Sequence, residues 1–148
     1  MKNTQKPFRL AIFNALNGQL SYNSTPVPVT DERKLQSDTS KIYVIFGRQT
    51  ETPIEENDCA FITQSTIDLL IVSKTFSETS KDTVNDIADD ILELLLTTPQ
   101  INGFTEPSGF QVQNIKLGYS ETGTMRMNST DIMLTQLLTI TAQIVQQS

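Results

Sequence analysis

Residues 59–97 place the strongest constraint on the fold, because a long strand pattern runs almost directly into a helix pattern. Polar and apolar side chains alternate over residues 59–76, with Leu69 and Ile71 in the same phase, and a period of two is typical of a strand. Over residues 79–97, apolar side chains recur at spacings of three and four, which predicts an amphipathic helix. A long strand followed by a long helix favours a sheet with a helical layer packed on it.

Shorter patterns predict most of the other elements. Residues 7–17 show helical spacing of apolar side chains and are expected to form a short helix. Residues 41–48 are a near-continuous apolar and aromatic run, which predicts a central strand buried on both faces. Residues 110–121 return to a strand pattern, and its phase changes near Gln113 and Asn114, which predicts a bulge.

The end of the chain and the connecting segments are less regular. Residues 131–146 alternate Thr with apolar residues, which favours a strand, with a helix as the alternative. A short edge strand is expected near residues 27–29. We interpret residues 49–58 as an acidic loop interrupted by Pro53, and residues 122–130 as a turn.

The predicted order is helix, strand pair, long helix, strand pair. Strand pairs joined by short connections indicate a mostly antiparallel sheet of about four to five strands, with two helices packed on one face. This is an α+β fold. The length of 148 residues fits one domain covering residues 1–148, and no internal repeat is present.

The composition argues against most enzyme chemistry. The chain has no His and one Cys, so catalysis that needs an imidazole and zinc sites built from Cys and His are excluded. A disulfide framework is excluded as well, and no phosphate-binding glycine motif occurs. We therefore predict no enzymatic activity and no cofactor. For an enzyme that uses carboxylates alone, Asp68 is the best acid candidate, because Leu69 and Leu70 could desolvate it.

The sequence also predicts a soluble protein made in the cytoplasm. The first residues carry Lys without a following apolar run, unlike a secretory signal. No stretch is apolar enough over about 18 residues to span a bilayer, so no membrane partner is expected.

The formal charge of −6 is unevenly distributed along the chain. Residues 1–50 carry 7 basic and 3 acidic groups, and residues 51–100 carry 2 basic and 11 acidic groups. This division suggests that an acidic loop docks on the basic surface of a neighbouring subunit or partner, although a solvated loop is the alternative. The candidate contacts are Glu55, Glu56 and Asp58 on the acidic side, and Arg33, Lys34 and Arg48 on the basic side.

A second acidic cluster lies on the predicted long helix. It comprises Asp82, Asp86, Asp89, Asp90 and Glu93. The simplest interpretation is a solvated helix face. One exposed face would bind hard metal ions weakly, so no metal site is predicted. The functional alternative is a wall that faces a negatively charged polymer without binding it.

The order of elements resembles the tail terminator, or tail-completion, proteins of tailed bacteriophages. The resemblance rests on an opening helix (FRLAIFNALNG), an apolar strand (KIYVIFG), a long strand (IDLLIVSKTF), the helix that follows it (KDTVNDIADDILELL) and two last strands. It implies a virion protein of the head–tail connector, or neck, assembled in the host cytoplasm. It further implies a ring of six or twelve copies that contacts other neck, portal-adaptor or tail proteins, and DNA that passes through the ring without specific binding.

Under that hypothesis, the acidic residues of the long helix are candidates for the channel lining. The alternative function is an accessory soluble binding module without catalytic activity. Self-association distinguishes the two, because a stable ring supports the connector and a monomer supports the binding module.

Overall fold

Two helices and seven strands are present in the part of the chain that the computed structural model describes. That part consists of residues 4–30, 42–56, 60–75, 81–96, 110–126 and 132–147. In chain order the elements are α1 (Gln5–Leu16), β1 (Ser21–Tyr22), β2 (Thr25–Pro26), β3 (Val29–Thr30), β4 (Ile42–Glu56), β5 (Ala60–Thr75), α2 (Lys81–Leu96), β6 (Phe110–Arg126) and β7 (Ile132–Gln147). The predicted α+β class is confirmed.

Four long strands and one short strand form the main sheet, in the order β3-β4-β5-β7-β6. The four long strands are mutually antiparallel, whereas β3 pairs with β4 in parallel through Val29 and Thr30. β4, β5 and β7 are therefore the interior strands. As the apolar run of residues 41–48 predicts, β4 lies between two other strands there, and the consecutive residues Tyr43 and Val44, which point to opposite faces, are both buried. β1 and β2 form a separate two-stranded hairpin.

Both helices pack on the same face of the main sheet. Their apolar stripes enter one core with the inward side chains of β4, β5, β6 and β7. On β5, the phase that contains Ile67, Leu69 and Ile71 is fully buried, as the alternation predicts. Burial of each such side chain contributes about 1.5–3 kcal/mol to folding. The α2 residues in this core are Val84, Ile87, Ala88, Ile91 and Leu95.

The prediction of an acidic loop over residues 49–58 was wrong for residues 49–56, which belong to strand β4. β4 continues through residues 49–56 and pairs with β5 as far as Glu56 and Phe61. Pro53 lies beyond the part of β4 that pairs with β3. No strand in the described part of the chain is paired with β4 on its outer side there, so the missing N–H of proline breaks no hydrogen bond on that side. Register shifts between Phe46 and Gln49 and between Pro53 and Glu55 mark irregularities.

β6 is also longer than the sequence predicts. It extends to Arg126, so residues 122–126 belong to a strand and not to the predicted turn. The reason is its partner, because β7 pairs continuously with residues 122–126 from Gln136 to Ile132. The predicted bulge is confirmed by a register shift between Gln113 and Lys116 and by the positive φ of 52° at Asn114. β7 itself is a strand, as the Thr alternation predicts.

A buried amide on β7, that of Gln136, bonds to two exposed hydroxyls on β6, those of Ser120 and Thr122. Gln136 is 5% exposed, and its amide nitrogen donates to the Ser120 hydroxyl at 2.6 Å. The Thr122 hydroxyl donates to the Gln136 amide oxygen, also at 2.6 Å. Both ends of the buried amide are therefore satisfied, which avoids the desolvation cost of an unpaired polar group.

Candidate functional site

The acidic residues of α2 lie on the face of the helix that points away from the sheet. Asp82, Asp86, Asp89, Asp90 and Glu93 are all exposed. The opposite face of the helix is buried against the core, so the helix has one apolar side and one strongly acidic side. Five carboxylates on one helix create a negative local potential that repels phosphates and attracts cations. The structure thus confirms their exposure, and their role in a channel stays a prediction.

The second predicted contact region is only partly described. Glu55 and Glu56 are the last two residues of β4, opposite Ile62 and Phe61 in the register. Asp58, Arg33 and Lys34 lie outside the described residues. Arg48 is exposed and lies near the start of the part of β4 that does not pair with β3.

Arg48 and the Glu55–Glu56 pair therefore belong to the same strand of one copy. Glu55 lies seven positions after Arg48, which corresponds to roughly 20 Å along a strand. The structure does not bring these charges together within a single copy. A contact between them would need a second copy, as the docking hypothesis states.

Asp68 has a local structural partner. It is half-buried on the sheet face away from the helices, directly opposite Thr139 on β7. The Thr139 hydroxyl donates a hydrogen bond to an Asp68 carboxylate oxygen at 2.7 Å. No group of three or more metal-ligating side chains that could hold a metal ion occurs among the described residues.

Of the described helices, neither combines the length and the apolar character needed to cross a membrane.

A polar depression on the open sheet face was not predicted from the sequence. It has a volume of about 50 Å³ and is lined by Gln64, Asn114, Lys116, Thr141, Ala142 and Gln143. The Asn114 side-chain amide donates to the Gln143 side-chain oxygen at 2.8 Å across β6 and β7. The lining residues lie on β5, β6 and β7, and the pairing register of these strands brings them together although they are far apart in the sequence. The dense Gln and Thr pattern of β7 was its one sequence signal.

The exposed pair of Tyr119 and Glu121 on the edge strand β6 was missed as well. Tyr119 is 53% exposed and donates a hydrogen bond from its hydroxyl to a Glu121 carboxylate oxygen at 3.1 Å. Residues i and i+2 of a strand point to the same face, which brings these two side chains together. The hydrogen bond, followed by the negative charge of Glu121, raises the pKa of Tyr119 above its ordinary value.

The main sheet has one open edge on each side in the described part of the chain. β6 pairs with β7 alone, and β3 covers β4 at Val44 and Ile45 and not at Gly47–Glu56. Gly47 on β4 and Gly118 on β6 are both exposed, and a glycine exposes backbone. Such edges present unpaired N–H and C=O groups to another chain.

The chain matches no protein-family model, and a comparison with curated proteins finds no match either.

Proposed function

We propose that the protein is a structural subunit of the head–tail connector of a tailed phage, where identical copies form a ring that joins or completes the tail. The ring surrounds the channel through which DNA passes. The order of the main elements, α1, β4, β5, α2, β6 and β7, supports this proposal, because it is the order on which the resemblance to tail terminator proteins rests.

The observation that carries the proposal is the open edge on each side of the main sheet. β6 and the Gly47–Glu56 part of β4 are different surfaces of one molecule. A contact between two different surfaces is heterologous, and heterologous contacts form a ring when the rotation from copy to copy closes, and an open filament when it does not. A ring subunit needs two such surfaces, and this sheet offers them.

The acidic face of α2 supports the second part of the proposal, a channel that does not retain DNA. Each Lys or Arg that neutralises a phosphate releases counterions and strengthens binding. A ring multiplies that effect by its copy number. A wall of carboxylates avoids it, because like charges repel over a screening length of about 8 Å at physiological salt.

An accessory binding module is the alternative function. The observation in its favour is the polar depression lined by amides, hydroxyls and Lys116 on the open sheet face. Amide and hydroxyl groups there are suited to a small polar ligand. This alternative predicts a monomer that binds such a ligand.

Light scattering combined with negative-stain imaging tests the proposal, with the protein alone and with particles that lack it. In the phage that encodes the chain, loss of the gene should leave filled heads and unjoined or unfinished tails. Added protein should restore joined particles and appear as a ring at the neck. Normal particles without the gene product would overturn the proposal.

A further inference from the structure

Both open edges carry interruptions. On β4 they are the register shifts between Phe46 and Gln49 and between Pro53 and Glu55, and residues 49–53 between them pair continuously with β5. Natural edge strands are often interrupted by bulges, which prevent unwanted association. In β6, the register shifts lie between Gln113 and Lys116 and between Leu117 and Tyr119. From Tyr119 to Arg126, the pairing with β7 is continuous, so this half of the edge has a regular backbone. It is therefore suited to accept another strand.

Exposed apolar side chains concentrate on the same two edge strands. Among the described residues, four large hydrophobic side chains are exposed. Leu117 and Tyr119 lie on β6, where they are 36% and 53% exposed, and Ile54 lies on the open part of β4, where it is 48% exposed. The fourth, Leu10, lies on α1. Three of the four thus lie on strands that an added strand would flank, where its side chains would be their cross-strand neighbours.

The strand directions make the two edges compatible. β4 and β7 run in one direction, and β5 and β6 run in the other. If a second copy continues the sheet in the same orientation, β6 of the first copy meets β4 of the second in antiparallel alignment. Antiparallel pairing is the more stable arrangement per residue. An even number of long strands therefore allows the sheet to extend from copy to copy without reversal.

The formal charges of the two edges are complementary. Gly47–Glu56 contains one basic and three acidic residues, a net charge of −2. Lys116–Arg126 contains two basic and one acidic residue, a net charge of +1. This difference favours contact between unlike edges over contact between two copies of the acidic edge.

We propose that β6 of one copy pairs with Gly47–Glu56 of β4 in the next copy, so that identical subunits extend one antiparallel sheet. This inference rests on the proposed function and specifies the surfaces that form the ring. Edge pairing occupies neither face of the sheet. The carboxylates of α2 therefore stay exposed in the assembly.

Cross-linking between two single-cysteine proteins tests the pairing. Both proteins carry Cys59→Ser, and one adds Thr52→Cys on β4 while the other adds Thr124→Cys on β6, both at exposed positions. A short bis-maleimide should join the two different proteins when they are mixed. Each protein alone should give little cross-linked dimer. Efficient linkage between two Thr124→Cys proteins, without the mixed product, would indicate a two-fold contact between β6 strands and overturn the proposal.

A matched pair of surface variants measures the contribution of β6. Tyr119→Glu places an acid beside the acidic β4 edge of the next copy and should weaken self-association about tenfold or more. Leu10→Glu makes a similar change at an exposed residue of α1, which is 39% exposed, and should leave association unchanged. Equal effects of the two variants, or an unassociated parent protein at all concentrations, would contradict the pairing.

The outcomes also separate this inference from the proposed function. A neck ring that forms without the mixed cross-link overturns the edge pairing and leaves the connector intact. The mixed cross-link together with normal particles in the absence of the gene product supports the pairing and overturns the connector.

Discussion

Thr4 and Glu51 are 47 residues apart in the chain and are joined by two hydrogen bonds. The Thr4 backbone N–H and its hydroxyl both donate to the same Glu51 carboxylate oxygen, at 3.0 and 2.5 Å. The Thr4 hydroxyl also lies 3.1 Å from that of Ser65. Thr4 is fully buried and directly precedes α1, so these bonds attach the start of the helix to β4 and β5.

Loss of the Glu51 carboxylate should destabilise the fold. Glu51→Ala leaves the buried Thr4 N–H without its charged acceptor, which should lower the free energy of unfolding by about 1–3 kcal/mol. Thr52→Ala, at the exposed neighbouring position, is the control and should have a much smaller effect. Urea denaturation measures both. Equal midpoints for the two variants would show that the Thr4–Glu51 bonds contribute nothing.

Truncation of a core side chain of α2 should lower the free energy of unfolding more than loss of the Glu51 carboxylate does. Ile91 is fully buried, and it shares one core with Leu69 and Ile71 of β5. Ile91→Ala should lower the free energy of unfolding by about 2–5 kcal/mol, because it removes buried methyl groups and leaves a cavity. Asp90→Ala changes the adjacent exposed residue and should leave stability nearly unaltered. A parent-like melting temperature for Ile91→Ala would refute the helix orientation.

Tyr119 should ionise at higher pH than an ordinary tyrosine. Its hydrogen bond to Glu121 favours the protonated phenol, so its pKa is raised in the folded state. The stabilisation from this pair is complete below the pKa of unfolded tyrosine and disappears as pH rises through the raised value. Tyrosinate absorbance, compared between the parent and Tyr119→Phe, isolates this residue. Glu121→Gln should move its midpoint downward, and an unchanged midpoint would contradict the assignment.

Charge reversal at the acidic end of β4 should weaken assembly. Glu55→Lys combined with Glu56→Lys removes the acidic charge that we expect to attract a neighbour, and low ionic strength makes the loss easiest to detect. Sedimentation equilibrium measures it, and circular dichroism verifies the fold. The control is Asp86→Lys with Asp90→Lys, an equal change of charge on α2. If the β4 variant associates as tightly as the parent protein, the docking hypothesis is wrong.

Charge reversal on α2 tests the channel hypothesis directly. The variant replaces Asp82, Asp86 and Asp90 together by Lys, which would give a channel wall that binds phosphates. Binding of DNA by several copies of this variant should slow DNA ejection. Assembly should stay normal, because these side chains are exposed. Ejection kinetics of reconstituted particles provide the measurement. Unchanged kinetics in fully assembled particles would place α2 on the outside of the ring.

The sequence alone determined the period and the buried face of the main elements. Alternation identified Leu69 and Ile71 as inward residues of β5, and helical spacing identified Ile91 as an inward residue of α2. It also revealed the exposed carboxylates of α2. These properties are local, because the direction of each side chain follows from the backbone geometry of its own segment.

The tertiary structure decided where strands end, which edges stay open and which distant polar groups meet. Pro53 and the polar residues around it resemble a loop, yet backbone pairing with β5 keeps them in β4. The Thr4–Glu51 bonds and the polar depression likewise depend on the register between strands and on how the helices dock. Such contacts join residues that are remote in the chain, so the propensities of short segments do not encode them.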